Sequence, residues 1–571
     1  EPGDPNIVIS LILLAQAKMA LQEYETAGNL LDESLALIEN NPGVQFYWKA
    51  SALNSRAEVY KKEGHTEKAA ELYQKSEDLF RTSLGEEYSV DFMTELNRMS
   101  QFYAENQKPE KALALAEETF IQNRKGGFRN TLQDFNHTLN LAMICLKLNR
   151  YEEALQYSDE ALLMNLKEKD TESMSVYDSI QLQYNKPLAL LTNVKADYAL
   201  QPNGDEVFLK SLLDRLNQGL DILEQRKSII KTHGEVNVLI AENRELFDFA
   251  KKINLELYRL TGKDHYLVEL LSQHESSVYN RIRTRLNLRD DVAFANIPPK
   301  VLQREQTLKE QLSKSITQEN DMGLKGFFET NKQWQSFLDT LKQAHPRYYE
   351  MRYAKLNETL KSPLQAIPEN TTVIRYVFIE DAPYAWVADA NEMKLHNLDA
   401  ATIQQLIEQP YPATFQVADV APHLHTLFKA LWQPFEKQIN TKKIIIIPDR
   451  HLFNISFETL TPSQINTFKD LATQSLLAHY SISYNFSLLQ VLKEDKNNKA
   501  FSKNFVAFAP TFSEDMKTEY LLAVEDPEQI DNTYLTLLPQ PFSHDLAKQY
   551  SRVFKGDAFL NEKALKTLFT E

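Results

Sequence analysis

The sequence predicts a multidomain chain in which an all-α solenoid of helical hairpins precedes an α/β domain. Two observations carry this: a constant small-residue period over the first 166 residues, and the four consecutive isoleucines Ile444–Ile447 closed by the turn pair Pro448-Asp449. The length, 571 residues, is also more than one hydrophobic core serves.

The period comes first in the chain. Ala27, Ala69, Ala112 and Ala154 are spaced 42, 43 and 42 apart. Ala15, Ala57, Ser100 and Ala142 stand at one fixed offset before them, and Ser34, Ser76, Thr119 and Ala161 at another after them. Such self-similarity marks stacked helical hairpins. Small residues at matched places let two helices approach closely, and aromatics such as Tyr60, Tyr103, Tyr24 and Tyr151 fill the seams. Gly64 and Asn149 fall at turns where a positive φ is expected.

The frame Ala57, Tyr60, Ala69, Tyr73 and Ser76 resembles the tetratricopeptide repeat in a longer-helix form, without its usual closing proline. The resemblance implies a concave groove lined by the first helix of each hairpin. In this register Asn54, Glu58, Lys61, Asn97, Gln101, Asn136 and Asn140 fall on that groove. Asparagines so placed can hold the backbone of an extended peptide, which makes a protein or peptide the expected partner. Without the resemblance they read as a solvated face.

Past residue 166 the register decays. Pro187, Pro202 and Gly204 are expected to interrupt the helices, while Leu191–Leu200, Val207–Gln225 and Val236–Leu260 keep helical apolar spacing. Residues 167–289 therefore read as two or three degenerate hairpins. Residues 290–362 read as a charged helical spacer packing across both domains, with Val301, Leu302, Leu308 and Leu312 as its apolar stripe.

Residues 363–571 change texture. Thr372–Ile379 and Tyr384–Ala390 alternate apolar and polar residues around a short acidic loop, predicting a hairpin, with Met393–Leu398 as a third strand. Helices are expected at Ala401–Ile407, His423–Gln438, Phe542–Val553 and Asn561–Phe569. The isoleucine run is too short and β-branched for a helix and reads as a strand buried on both faces. Asn504–Ala509 reads as another buried strand. Strands alternating with helices imply one largely parallel sheet, with chemistry at the carboxyl end of the isoleucine strand, where Asp449, Arg450 and His451 stand.

The stretch IIIIPDRHLFNISFETL, then LLAHYSISYNFSLLQVL and NFVAFAP, resembles the CHAT domain, a caspase-like cysteine peptidase family often preceded by tetratricopeptide repeats. FANIPPKVLQREQTLKEQL, LFKALWQPF, PFSHDLAKQYSRVF and GDAFLNEKALKTL fit the same family, so the α/β domain is expected to be caspase-like. The turn departs from the usual pattern. Arg450 stands where glycine is common, Phe453 where histidine is, and Ser456 where proline is. The family's histidine and cysteine lie on two strands after the GDAFLNEKAL-type helix, so the resemblance implies an incomplete domain whose catalytic pair is expected beyond Glu571.

The residues themselves offer no substitute. The one cysteine, Cys145, sits in a repeat helix at the place of Tyr60 and Tyr103 and reads as core. His451 beside Asp449 reads as a turn capping the sheet. Ser456 lacks a Gly-x-Ser-x-Gly elbow. His396, His423, His425, His479 and His544 show no metal spacing beyond His423-x-His425, whose members do not share a helical face. No glycine-rich phosphate loop occurs, so no cofactor or metal is expected. The net charge of −16 argues against wrapping nucleic acid. A single cysteine rules out a disulfide framework and fits a cytoplasmic location. Ile7–Ala15 is too short to span a membrane. The chain opens at Glu1 without methionine, so both native termini are expected to lie outside it.

The sequence thus leads to a regulatory caspase-like protease controlled by its solenoid, inactive as this chain alone. The alternative is a non-catalytic scaffold, or pseudo-protease, for protein–protein interactions.

Overall fold

A computed structural model describes residues 5–39, 44–85, 87–129, 131–164, 176–229, 239, 241–287, 297–317, 323–346, 348–349, 353, 360, 364, 367–408, 416–491, 505–509, 512–523, 535–536 and 541–564. The chain divides into two compact units, 1–493 and 494–571.

The first unit opens with four helical hairpins: α1 (Pro5–Ala20) and α2 (Tyr24–Glu39), α3 (Phe46–Lys62) and α4 (Thr66–Leu84), α5 (Val90–Glu105) and α6 (Pro109–Lys125), α7 (Leu132–Lys147) and α8 (Tyr151–Leu163). All twelve small residues of the repeat are buried. Each hairpin turns through one left-handed residue: Gln22 (φ 64°), Gly64 (φ 81°), Gln107 (φ 56°) and Asn149 (φ 60°). In each, the next amide donates back to the carbonyl five residues earlier: Glu23 to Lys18 (3.0 Å), His65 to Tyr60 (2.8 Å), Lys108 to Tyr103 (3.0 Å) and Arg150 to Cys145 (2.9 Å). This is a Schellman closure, which uses helix-end carbonyls that would otherwise lack partners. Glycine and asparagine reveal two of these turns in the sequence; the glutamines conceal the other two. A Cβ at Gly64 would meet open space, so Gly64→Val tests backbone strain alone. Its cost is expected at about 1–2 kcal/mol, read as a lower midpoint in chemical denaturation.

The solenoid continues through α9 (Val176–Leu200), α10 (Glu206–Ile229), α11 (Arg244–Thr261) and α12 (Asp264–Asn287). Pro202 and Gly204 separate α9 from α10 as expected, but Pro187 does not break its helix; it lies inside α9. An interior proline costs about 3 kcal/mol. The helix packs closely at this point: a Cβ on Gly219 of α10 would lie 3.5 Å from the Pro187 Cα. Next, α13 (Pro299–Thr317) and α14 (Gly323–Ala344) bury Leu308, Leu312, Trp334 and Leu341 against Ile180 of α9.

A mixed five-stranded sheet follows, in the order β3-β2-β1-β4-β5. Its strands are β1 (Thr371–Ile379), β2 (Ala382–Ala388), β3 (Met393–Asn397), β4 (Lys443–Ile447) and β5 (Ser481–Tyr484). The predicted hairpin and third strand form as antiparallel pairs, while β4 runs parallel to both β1 and β5. One face packs Ile374, Tyr376, Ile444 and Ile446 against α15 (Ala400–Glu408) and α16 (Val417–Leu431). The opposite face packs Val373, Val377, Trp386 and Ile447 against Leu255, Leu267, Leu270 and Leu271 of α11 and α12. The isoleucine strand is therefore covered on both sides, the second cover coming from the solenoid. The same packing buries all nine residues of β1, its polar ones included.

The single-sheet expectation is corrected too. Both edges of β4 are taken by β1 and β5. In the second unit β6 (Val506–Ala509) pairs parallel with β7 (Asp557–Leu560) in a separate two-stranded sheet. The unit also holds α17 (Glu514–Ala523) and α18 (Pro541–Val553), and a Cβ on Gly556 would collide with the Phe505 carbonyl oxygen at 1.9 Å. Of the helix expected at Asn561–Phe569, Asn561–Lys563 form one 3₁₀ turn, and 565–569 lie outside the described residues. Among the described residues, no helix is long and apolar enough to cross a membrane.

Candidate functional site

On the solenoid, Glu58, Lys61 and Gln101 line a cavity of about 560 Å³ with Gln16, Tyr24 and Arg98. Gln16, Glu58 and Gln101 are one register position in three repeats; shifting Glu58 back by the repeat length finds Gln16 in the sequence. The other four groove candidates behave differently. Asn54 is fully buried and donates to Ser76 (2.9 Å), clipping α3 to α4. Asn97, its equivalent one repeat on, accepts from Thr119 (2.8 Å) and from Asn140 (3.0 Å), and its amide lies 2.8 Å from His137 Nδ1. Asn140 also donates to Ser100 (3.0 Å) and accepts from Gln101 (2.9 Å). These amides form a ladder between repeats. Asn136 is exposed and accepts from Asn185 at 3.4 Å.

The cavity's charges are set by neighbours. Glu105 receives both Lys61 and Lys147 at 2.8 Å. Burial would raise its carboxyl, but the two lysines hold it below the usual range. The Tyr73 hydroxyl donates to Glu58, and burial, then Glu58, holds that phenol well above its ordinary value. Beneath Arg98, burial pushes Glu95 up to about 7 against the pull of Arg98 at 3.2 Å. Burial likewise pushes His137 down to about 4, leaving it neutral. Arg98 and Glu95 carry no repeat signature, and the sequence reading missed them.

The carboxyl ends of β1, β4 and β5 form the second locus. Asp449 is buried and accepts the Phe378 amide (3.0 Å), so it caps the sheet, as its turn suggested. Arg450 takes φ 48°, a left-handed conformation that glycine adopts at less cost. Its guanidinium donates to the Glu380 carbonyl (2.9 Å). His451 and Ser456 point to solvent, and no partner geometry joins them. Solenoid residues invisible to the sequence reading close over these ends: Lys251 (3.1 Å to the Phe378 carbonyl), His274 (3.6 Å to Asp449) and Glu275 (2.8 Å to Arg375). Burial, then Arg375, holds the His274 imidazole well below its usual range, and burial lowers Lys251 as well. The signal available was Arg375, a lone cation in TVIRYVFI.

Beside them a cleft of about 650 Å³ is lined by Glu242, Glu245, Asp248, Glu380 and Asp381. Its acids are largely compensated, Glu245 by Lys195, Asp248 by Lys251 (2.6 Å), Glu380 by Lys252 (3.5 Å) and Asp381 by Arg450 (3.5 Å). Cys145 is fully buried, and burial pushes its thiol up to about 11, the wrong direction for a nucleophile. His425 sits 3.2 Å from the Thr461 carbonyl, and His396 bonds Gln438 (2.5 Å).

The comparisons with known proteins agree with both regions. Residues 7–82 match the tetratricopeptide-repeat family model, and residues 421–567 match the CHAT-domain model. The chain thus carries tetratricopeptide-type repeats ahead of a stretch that matches the CHAT domain. No curated protein shows significant similarity to it. Among solved structures, BtubC (BKLC) from P. vanneervenii is 16% identical with TM-score 0.31, over 38% of this chain and 80% of that one. The apo form of RapI is 12% identical with TM-score 0.32, over 58% and 99%. The Rap conjugation gene regulator of plasmid pLS20, solved with the Phr* peptide, is 12% identical with TM-score 0.31, over 59% and 75%.

Proposed function

We propose that this chain is part of a regulatory, caspase-like cysteine protease whose solenoid binds a protein or peptide partner and so governs peptide-bond cleavage. The observation that carries the reading is the CHAT match, which starts in α16 and runs through the isoleucine strand, on the same chain as the repeats. Helices α11 and α12 support it, because they cover one face of the sheet that contains this strand. Division into repeats (1–166), degenerate hairpins (167–289), spacer (290–362) and CHAT portion (363–571) belongs to the proposal.

Cleavage by such a family needs an imidazole within hydrogen-bond reach of a thiol, which makes and keeps a thiolate. Cys145 does not serve, so the proposal assigns the pair to polypeptide outside these 571 residues. The partner's place is the cavity of Glu58, Lys61 and Gln101. The test is the intact mass of the native protein, sequencing of any companion polypeptide, and casein hydrolysis before and after thiol alkylation. A companion bearing histidine and cysteine, with hydrolysis that alkylation abolishes, is the expected result; this chain alone stays inactive. A native protein without that pair overturns the protease and leaves a non-catalytic scaffold. One observation favours that second reading: solenoid side chains already fill the strand exits of the five-stranded sheet.

A further inference from the structure

In an open sheet, ligands enter the crevice outside the carboxyl ends of parallel strands, where neighbouring connections leave in opposite directions. Here that point lies between β1 and β4. The chain leaves β1 toward β2 on one side and leaves β4 toward β5 on the other. The crevice is not available to a ligand. Lys251 donates into it to the Phe378 carbonyl (3.1 Å), and His274 lies 3.6 Å from Asp449.

One layer inward, a second set of contacts reaches every exit. Arg375 of β1 donates to Glu275 of α12 (2.8 Å) and to the carbonyls of Ile447 (3.3 Å) and Pro448 (2.6 Å) at the end of β4. The other oxygen of Glu275 accepts the Ser487 hydroxyl (2.5 Å) and the Leu488 amide (3.1 Å), just past β5. Glu275 and Arg375 are both fully buried. One solenoid carboxylate therefore ties together β1, the end of β4 and the end of β5.

Adhesion does not require this. Leu255, Leu267, Leu270 and Leu271 already seal α11 and α12 to the sheet through apolar contact. A buried ion pair adds little net stability over apolar residues of similar size, and its best-attested use is to fix register or to switch. We infer that the last solenoid hairpin, α11–α12, is the built-in occupant of this crevice and acts as a latch, with Glu275 holding the exits of β4 and β5 until the hairpin shifts. The inference rests on the proposed role of the solenoid as the partner-binding part. A small slide of α12 leaves Glu275 and Arg375 buried without each other, so intermediate positions are disfavoured and the hairpin has two discrete settings. Residues 487–491, which follow β5, are what the latch holds.

Hydrogen exchange on the full chain tests this without partner or protease activity, so its failure is distinct from failure of the functional reading. In Glu275→Leu/Arg375→Met, the amides of Leu488–Val491 and Arg450–Asn454 are expected to exchange at least tenfold faster. Those of α1–α8 and of Leu267–Leu271 should keep their protection. Unchanged exchange at Leu488 overturns the latch, and so does loss of protection along α11 and α12, which would make the pair adhesive. Should the double variant fail to fold, Ser487→Ala removes one arm only. Faster exchange confined to 487–491 then supports the latch, and none overturns it.

Discussion

Arg375→Ala is expected to lower the stability of the five-stranded sheet by about 3–5 kcal/mol, the largest loss from any single polar replacement considered for this chain. The side chain contributes little by packing; the loss comes from what it leaves behind. Glu275 would keep a buried carboxylate with only Ser487 and Leu488 as donors. The carbonyls of Ile447 and Pro448 would lose their guanidinium partner in a water-free interior. Glu275→Leu/Arg375→Met makes the contrast, because removing both charges removes the buried-carboxylate part of the penalty, although the Ile447 and Pro448 carbonyls and the Ser487 and Leu488 donors still lose their partners. The double variant should therefore be more stable than Arg375→Ala. Trp386 and Trp432 are both fully buried against this sheet, so tryptophan fluorescence in urea reads the transition. A cost below about 1 kcal/mol for Arg375→Ala would mean that water or a rearranged side chain reaches Glu275.

That network also marks the limit of what the sequence reveals. The solenoid was legible because its packing constraint repeats: Ala27, Ala69, Ala112 and Ala154 are each fully buried. The isoleucine strand was legible because both faces are apolar. Its second cover was not, since nothing in the spacing of Leu255, Leu267 and Leu271 says that they meet Val377 and Trp386. Contacts separated by a hundred residues, such as Glu275 with Arg375, leave no periodic trace. The alternation of TVIRYVFI predicts a strand but does not say that the charge of Arg375 is cancelled from another part of the chain. In the groove the same ambiguity runs the other way. Asparagines at solenoid positions look alike whether they face a peptide or, like Asn54 and Asn97, clip one helix to the next. Hydrogen-bond partners decide between these, and partners are tertiary facts.

Glu95→Gln is expected to stabilise the solenoid by about 3 kcal/mol at pH 8 and by almost nothing near pH 4. Glu95 lies buried in α5, where burial pushes its carboxyl up to about 7, Arg98 pulls it down and Glu58 adds to the rise. In the unfolded chain it titrates near the ordinary glutamate value of about 4.3. Below that pH the group is protonated in both states, and the stability linked to its protonation is fully present. As the pH climbs from about 4.3 to 7, the unfolded chain ionises while the folded one still holds the proton, and that stability drains away. Above about 7 the loss is complete. Glutamine keeps the shape and never ionises, so the difference between variant and parent isolates this one group from all others that titrate in both. Denaturation midpoints at several pH values between 4 and 8.5 should diverge steadily and then run parallel above about 7.5. A constant offset across that range would mean that Arg98 compensates the Glu95 charge in full, and that the acid beneath the groove is ionised throughout.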